Sequence, residues 1–428
     1  MELKNAASGT AQYSGPGQIR QTVEGTLGYT LYDTQAEEGF AWGNLPRPGS
    51  WIEDSDLFDL ELRDWQGRLW RANRTRSYTS NVIGEKGVVC RGDLREIVLT
   101  SESYRSSGES IWLFFPVAME IPYNRMTSVE QNAAGRRSFR LDPNIWLIDS
   151  GEFRLRITKA EDGVEVEATR SDGRFPEHFD TRLTEALWFV FARPIEWQIC
   201  IRTDVDNEIL TLRRRPQPPV EPRLYPPREF DDPDAAADAG DMLLKYLQYI
   251  GDFNEPRFHP TSVNVRQTLL ASATNIETEA LALGVAFESF VRREFKQLGV
   301  PENAVIRGID AALDFWESWT GDSSLKERIK GAVSGIKGSN PRESINKLVN
   351  QGVLAEEHRD AWNKLRHTTA HGMDFTADFR KIVHWCNLAH MGFLRLIFSR
   401  IEYTGVYTDR TVEGWPTVEV QAQPNPAP

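Results

Sequence analysis

Arg366 and His371, with His367 between them in the string Leu365-Arg-His-Thr-Thr-Ala-His-Gly372, are the residues of this chain best suited to chemistry on a phosphate. An arginine offers a permanently charged, planar fork to a phosphodiester, and a histidine with an ordinary pKa of about 6.5 can take and give protons at neutral pH. Attack of a ribose 2′-hydroxyl on the neighbouring phosphorus needs one proton removed, one delivered to the departing 5′-oxygen, and the charge of the phosphorane stabilised. Those three tasks need no metal and no cofactor.

A zinc site is the competing chemistry, because His367 and His371 stand at i and i+4, the spacing of His-Glu-x-x-His proteases. Thr368 occupies the place of the general-base glutamate, so the pattern lacks its catalytic half. His358, His384 and His390 crowd the same region without a companion motif and are expected to be polar packing residues of amphipathic helices.

A helix must carry the Arg-x4-His pair. Helical spacing is predicted over 234–250, 262–298, 302–320, 324–335, 341–350, 355–371 and 376–403, so the second half reads as an all-α bundle. Five positions on a straight helix differ by about 140°. Gly372, a natural residue to follow a helix, would place His371 in a last turn from which its ring can swing towards Arg366.

The string LRHTTAHG near the end of such a bundle resembles the Arg-x4-6-His motif of the HEPN superfamily, in its Apea-like branch, where the pattern commonly reads Leu-Arg-Asn followed shortly by His-Gly. His367 stands here where that branch has asparagine. Ala286-Phe-Glu-Ser-Phe290 is similar to an early helix of the family, and Tyr403-x-Gly-x-Tyr-x-Asp409 with Gly414-Trp-Pro416 matches its terminal segment, so the likeness covers roughly residues 235–418. The resemblance implies a metal-independent ribonuclease with Arg366, His371 and His367 at its site. It also implies that Glu288 orients Arg366; from the residues alone Glu288 reads equally well as a solvated helical charge. A homodimer sharing one composite site, a strand-rich preceding domain and a role in bacterial defence against phage are further implications.

Composition sets the bounds. A chain of 428 residues with 40% hydrophobic and 26% charged residues is expected to form two or more ordinary globular domains. The formal charge of -12 opposes a broad cationic embrace of duplex nucleic acid and leaves room only for a small RNA site. Cys90, Cys200 and Cys386 form no CxxC pair, and no stretch has signal-peptide or membrane-span character, so a cytoplasmic protein with no membrane contact is expected.

The first half has a period of two. Phe153, Leu155 and Ile157 alternate with charges, Asp162-Gly163 supplies turn chemistry, and Val164, Val166 and Ala168 alternate back. A second hairpin pairs 57–63 with 68–73 across Asp64-Trp-Gln-Gly67, and Ile195, Trp197, Ile199 and Ile201 read as one face of a further strand. Eight of the thirteen tryptophans precede residue 200, including Trp42, Trp51, Trp65, Trp70, Trp188 and Trp197, and they are expected mainly in the core. The expected fold is thus α+β: a mostly antiparallel, sandwich-like β sensor over 1–212, a Pro/Arg-rich linker over 213–232, and an all-α HEPN bundle over 233–428.

The reading is an endoribonuclease acting on tRNA or single-stranded loops, whose nucleotides can splay into in-line geometry, with a phage-derived trigger sensed by the β domain. Two rivals remain: a non-catalytic HEPN dimerisation or RNA-binding module, and a ligand-binding sensor governed by the Trp-rich domain.

Overall fold

A computed structural model describes residues 1–22, 24–36, 56–81, 87–102, 108–123, 128–131, 137–140, 143–215, 221–230, 234–371 and 379–420. The chain divides into two compact units, Met1–Asp180 with Ile195–Pro219, and Thr181–Pro194 with Val220–Pro428. An antiparallel β region thus precedes a helical one, an α+β architecture.

The β unit is built on an eleven-stranded sheet. From one edge its strands are Ile145–Asp149, Arg154–Ala160, Gly163–Arg170, Glu109–Phe115, Ile199–Thr203, Asn207–Arg213, Glu96–Glu102, Leu69–Thr75, Phe58–Arg63, Glu2–Asn5 and Ala11–Ser14. A four-stranded sheet centred on Leu27–Asp33 and Val88–Leu94 shares one core with its last strands, in which Leu3, Phe58 and Leu60 meet Leu27, Leu31 and Cys90. That two-layer end is the sandwich.

Both hairpins read from the sequence are present. Leu155 pairs with Ala168 and Ile157 with Val166, all four buried on one face. The turn is displaced by one residue from expectation, because Gly163 is already paired with Ala160 and Glu161-Asp162 make the bend. In the other hairpin Asp64 accepts from the backbone of Gln66 and Arg68, Gly67 takes a φ of 81°, and Trp65 at the tip is 88% exposed. Trp65 therefore corrects the core expectation, while Trp188 and Trp197 meet it; Trp42 and Trp51 lie outside the described residues. The strand near residue 200 also differs. It begins at Ile199 and buries Cys200, whereas Ile195 and Trp197 are buried before it starts.

The helical unit comprises α1 (Phe179–Phe191), α2 (Ala235–Gly251), α3 (Pro260–Ser272), α4 (Ile276–Glu294), α5 (Asn303–Ser318), α6 (Ser323–Gly335), α7 (Pro341–Asn350), α8 (Glu356–His371) and α9 (Phe379–Arg400). The expected single helix over 262–298 is two, because Asn275 takes an extended conformation and its side chain accepts from the Thr278 N–H, starting a new helix. A short hairpin, Val406–Thr408 with Thr417–Glu419, corrects the all-α expectation for the terminal segment. No helix among the described residues is long and apolar enough to cross a membrane.

Helix α1 was not expected. Arg182 to Phe191 are buried on every side, so no amphipathic period marks them. Phe189 of α1 stacks on Tyr246 and meets Phe398 edge-on, making α1 a central element of this unit. Two charges go inside with it. Arg182 pairs with Glu185 at 2.5 Å and donates to the carbonyls of Glu255 and Arg257, and Glu185 accepts from the His259 N–H. Burial pushes the Glu185 carboxyl up to about 7 despite the arginine, and it lowers His259 to about 4.

Of the segment read as a linker, residues 221–230 contain neither helix nor strand, and Arg223 and Arg228 are tied to Glu279 and Asp238 of the helical unit.

Candidate active site

Three helices position Arg366. The core shared by α4, α8 and α9 contains Leu283, Leu365 and Ile382, so the neighbour of Leu365 on α8 is turned out of that core. Arg366 is 54% exposed, within reach of a ligand from solvent. Close approach of α9 is permitted by Gly392, where a Cβ would fall 2.9 Å from the Phe287 ring and 3.0 Å from His358 Cβ.

Across the α4–α8 groove, Arg366 Nε lies 3.4 Å from Glu288 Oε2. Glu288 is shared. Its Oε1 accepts from Arg292 Nε at 3.0 Å and Nη2 at 2.7 Å, one helical turn along α4. The Arg366 guanidinium also lies over the ring of Trp362, 5.6 Å from its centroid, and Trp362 is fully buried against Phe287. Arg366 is thus tethered by a carboxylate and rests on an indole. Arg292 and Trp362 were not singled out in the sequence, although both stand at i+4 or i−4 from a residue that was.

Helix α8 spans Glu356–His371, so His367 and His371 are on its last turns, on the same helix as Arg366. The side chains of both histidines, and Gly372, lie outside the described residues. The remaining histidines separate clearly. His358 is buried, with Nδ1 accepting the Ala355 N–H that begins α8, and burial lowers it to about 4. His390 is buried and lowered to about 4 for the same reason, with Arg410 adding to the shift, whereas His384 is exposed. No cluster of three metal-ligating side chains occurs among the described residues.

Lys364 of α8 lies over the ring of Trp385, 5.1 Å from its centroid, and the first turn of α9 carries the exposed Arg380 and Lys381. In the β unit a cavity of about 280 Å³ is lined by Arg71, Asn73, Glu96 and Thr100, where strands Leu69–Thr75 and Glu96–Glu102 pair over only two positions. None of the protein-family models, curated proteins or solved structures compared with this chain matches it.

Proposed function

We propose that this chain is a metal-independent endoribonuclease of HEPN type, acting on tRNA or other single-stranded RNA loops through attack of the 2′-hydroxyl. The observation that carries the reading is the Arg366–Glu288 tether: a solvent-facing guanidinium, held at its Nε by a carboxylate of another helix, on the helix that also bears His367 and His371. A tethered arginine presents its fork to a scissile phosphate in a fixed direction, which is what stabilising a phosphorane requires. His371 moves the protons, and His367 supports either that histidine or Arg366. In a chain of formal charge -12, Lys364, Arg380 and Lys381 of α8 and α9 are the cations this reading assigns to the flanking phosphates.

One arginine and one histidine are few groups for this reaction. A homodimer with the two motifs facing a shared cleft would supply two of each and divide the acid, base and charge-stabilising roles. In this reading the protein is a cytoplasmic effector of phage defence, and the β unit is its sensor. The 280 Å³ cavity with its arginine, asparagine, glutamate and threonine is where a small trigger would enter.

The test is cleavage of a purified tRNA pool in EDTA by the wild type, Arg366→Ala and His371→Ala, with the product ends identified. Ends carrying 2′,3′-cyclic phosphate, made by the wild type and by neither variant, are expected. Cleavage that survives both substitutions would overturn the site; RNA bound but left intact by every form would favour the non-catalytic binding module.

A further inference from the structure

Helices α5 and α6 form an excursion closed at its base. The Asn340 N–H donates to Gly299 O at 3.0 Å and Ser339 Oγ donates to Lys296 O at 2.8 Å, so the chain leaves and re-enters the helical unit at one point. Beyond that clasp, among the described residues, the two helices pack substantially only on each other. Ile309 is the one buried residue of α5, and α6 has none.

Helix α5 is nonetheless strongly amphipathic, and both helices leave apolar side chains exposed. Val305 and Phe315 of α5 are 48% and 63% exposed, while Leu325 of α6 and Ile336, which caps it, are 47% and 56% exposed. An isolated apolar side chain on a surface needs no explanation, but four on one two-helix element is the density of exposure expected of an interface. Glycine adds a second sign. Gly308, in mid-α5, and Gly331, in mid-α6, would each meet nothing within 4 Å if given a Cβ, so no packing among the described residues requires them there. Each costs its helix roughly 1 kcal/mol relative to alanine, a cost that close approach of another helix would explain.

Charge identifies the occupant. Helix α5 carries Arg307 against Asp310, Asp314 and Glu317, a net of -2, and α6 carries Lys326, Arg328 and Lys330 against Glu327, a net of +2. Within one hairpin these opposite helices already attract, through Glu317–Lys330 and through Asp310 with Lys337 just past α6. A second copy related by a two-fold axis can lay its α6 on the free flank of α5 and its α5 on the free flank of α6. The apolar faces then close and every neighbouring helix has the opposite charge.

We propose that the α5–α6 hairpin is a homotypic docking element, two copies of which form a four-helix bundle that joins two chains. The proposal deepens the dimeric part of the reading above and rests on it, but it predicts an assembly measurable without RNA. Sedimentation of the full chain over a concentration series is the test. The wild type should dimerise, and Phe315→Glu and Leu325→Glu should each weaken association at least about tenfold with unchanged helix content. Replacing residues 300–339 by a short Gly-Ser linker, across ends already hydrogen-bonded, should give a folded monomer. Leu281→Glu and Val285→Glu, on the exposed stripe of α4, should leave the dimer intact. A monomeric wild type, dimers indifferent to the hairpin variants, or dimers lost only with the α4 variants would each overturn the proposal. A dimer broken by the hairpin variants whose wild type cuts no RNA would overturn the nuclease and leave the docking element standing.

Discussion

Glu288 serves two arginines at once: its Oε1 is held by Arg292 on its own helix and its Oε2 lies 3.4 Å from Arg366 Nε on α8. The carboxylate is only 19% exposed, whereas both guanidinia are more than half exposed. Such an arrangement contributes little to stability, about 0–1 kcal/mol per exposed pair. Its consequence is directional, since Arg366 is aimed from a neighbouring helix.

Glu288→Gln should therefore lower the rate of RNA cleavage by about tenfold, corresponding to roughly 1.4 kcal/mol, and shift the melting temperature little. Arg292→Ala, which leaves Glu288 wholly to Arg366, should change cleavage by less than about threefold. Single-turnover rates beside thermal melts separate the outcomes. Equal rate losses in both variants, or a rate loss matched by unfolding, would remove Glu288 from the positioning role.

The buried Arg182–Glu185 pair should behave in the opposite way, mattering to stability. Glu185→Ala leaves the Arg182 charge and the His259 N–H without their partner, and the expected cost is about 3–5 kcal/mol. Arg182→Met with Glu185→Met should cost less than Glu185→Ala alone, because no charge is then left behind and the carbonyls of Glu255 and Arg257 belong to exposed residues that water can reach. Urea unfolding of the three proteins decides it; a double variant less stable than the single would show that the pair is net stabilising.

Acid should destabilise the protein through His358. Burial lowers it from an ordinary 6.5 to about 4, so the unfolded chain takes up a proton that the folded chain refuses. Its contribution is complete above about pH 6.5 and is lost as pH falls towards and through 4. His358→Gln keeps an acceptor for the Ala355 N–H, as in a capping box, and removes the titration. The variant should retain about 2 kcal/mol more stability than the wild type at pH 5, relative to their difference at pH 8. Parallel pH profiles would refute this. Glu185, raised to about 7 by burial, has the opposite sign: its contribution is present below about pH 4.5 and is lost as pH rises through 7.

Local physics is legible in this sequence wherever a segment has one wet face and one dry face. Leu155, Ile157, Val166 and Ala168 alternate with charges because one face of their hairpin is buried, and they were readable for that reason. The same logic located α8 and placed Arg366, His367 and His371 on one helix. It failed for α1, buried all round, and for the 262–298 run, where a single asparagine cap divides two helices whose apolar positions nearly continue one another.

Sequence alone thus determined the α+β order and the helix bearing the Arg-x4-His string, because these follow from hydrophobic periodicity and local caps. Only the tertiary structure decided that Glu288 reaches Arg366, that Trp362 lies beneath it, that Arg182 and Glu185 go into the core together, and that α5 and α6 stand apart with apolar faces outward. Those facts depend on which helices become neighbours. That is set by packing summed over the whole unit and is written in no single stretch of the chain.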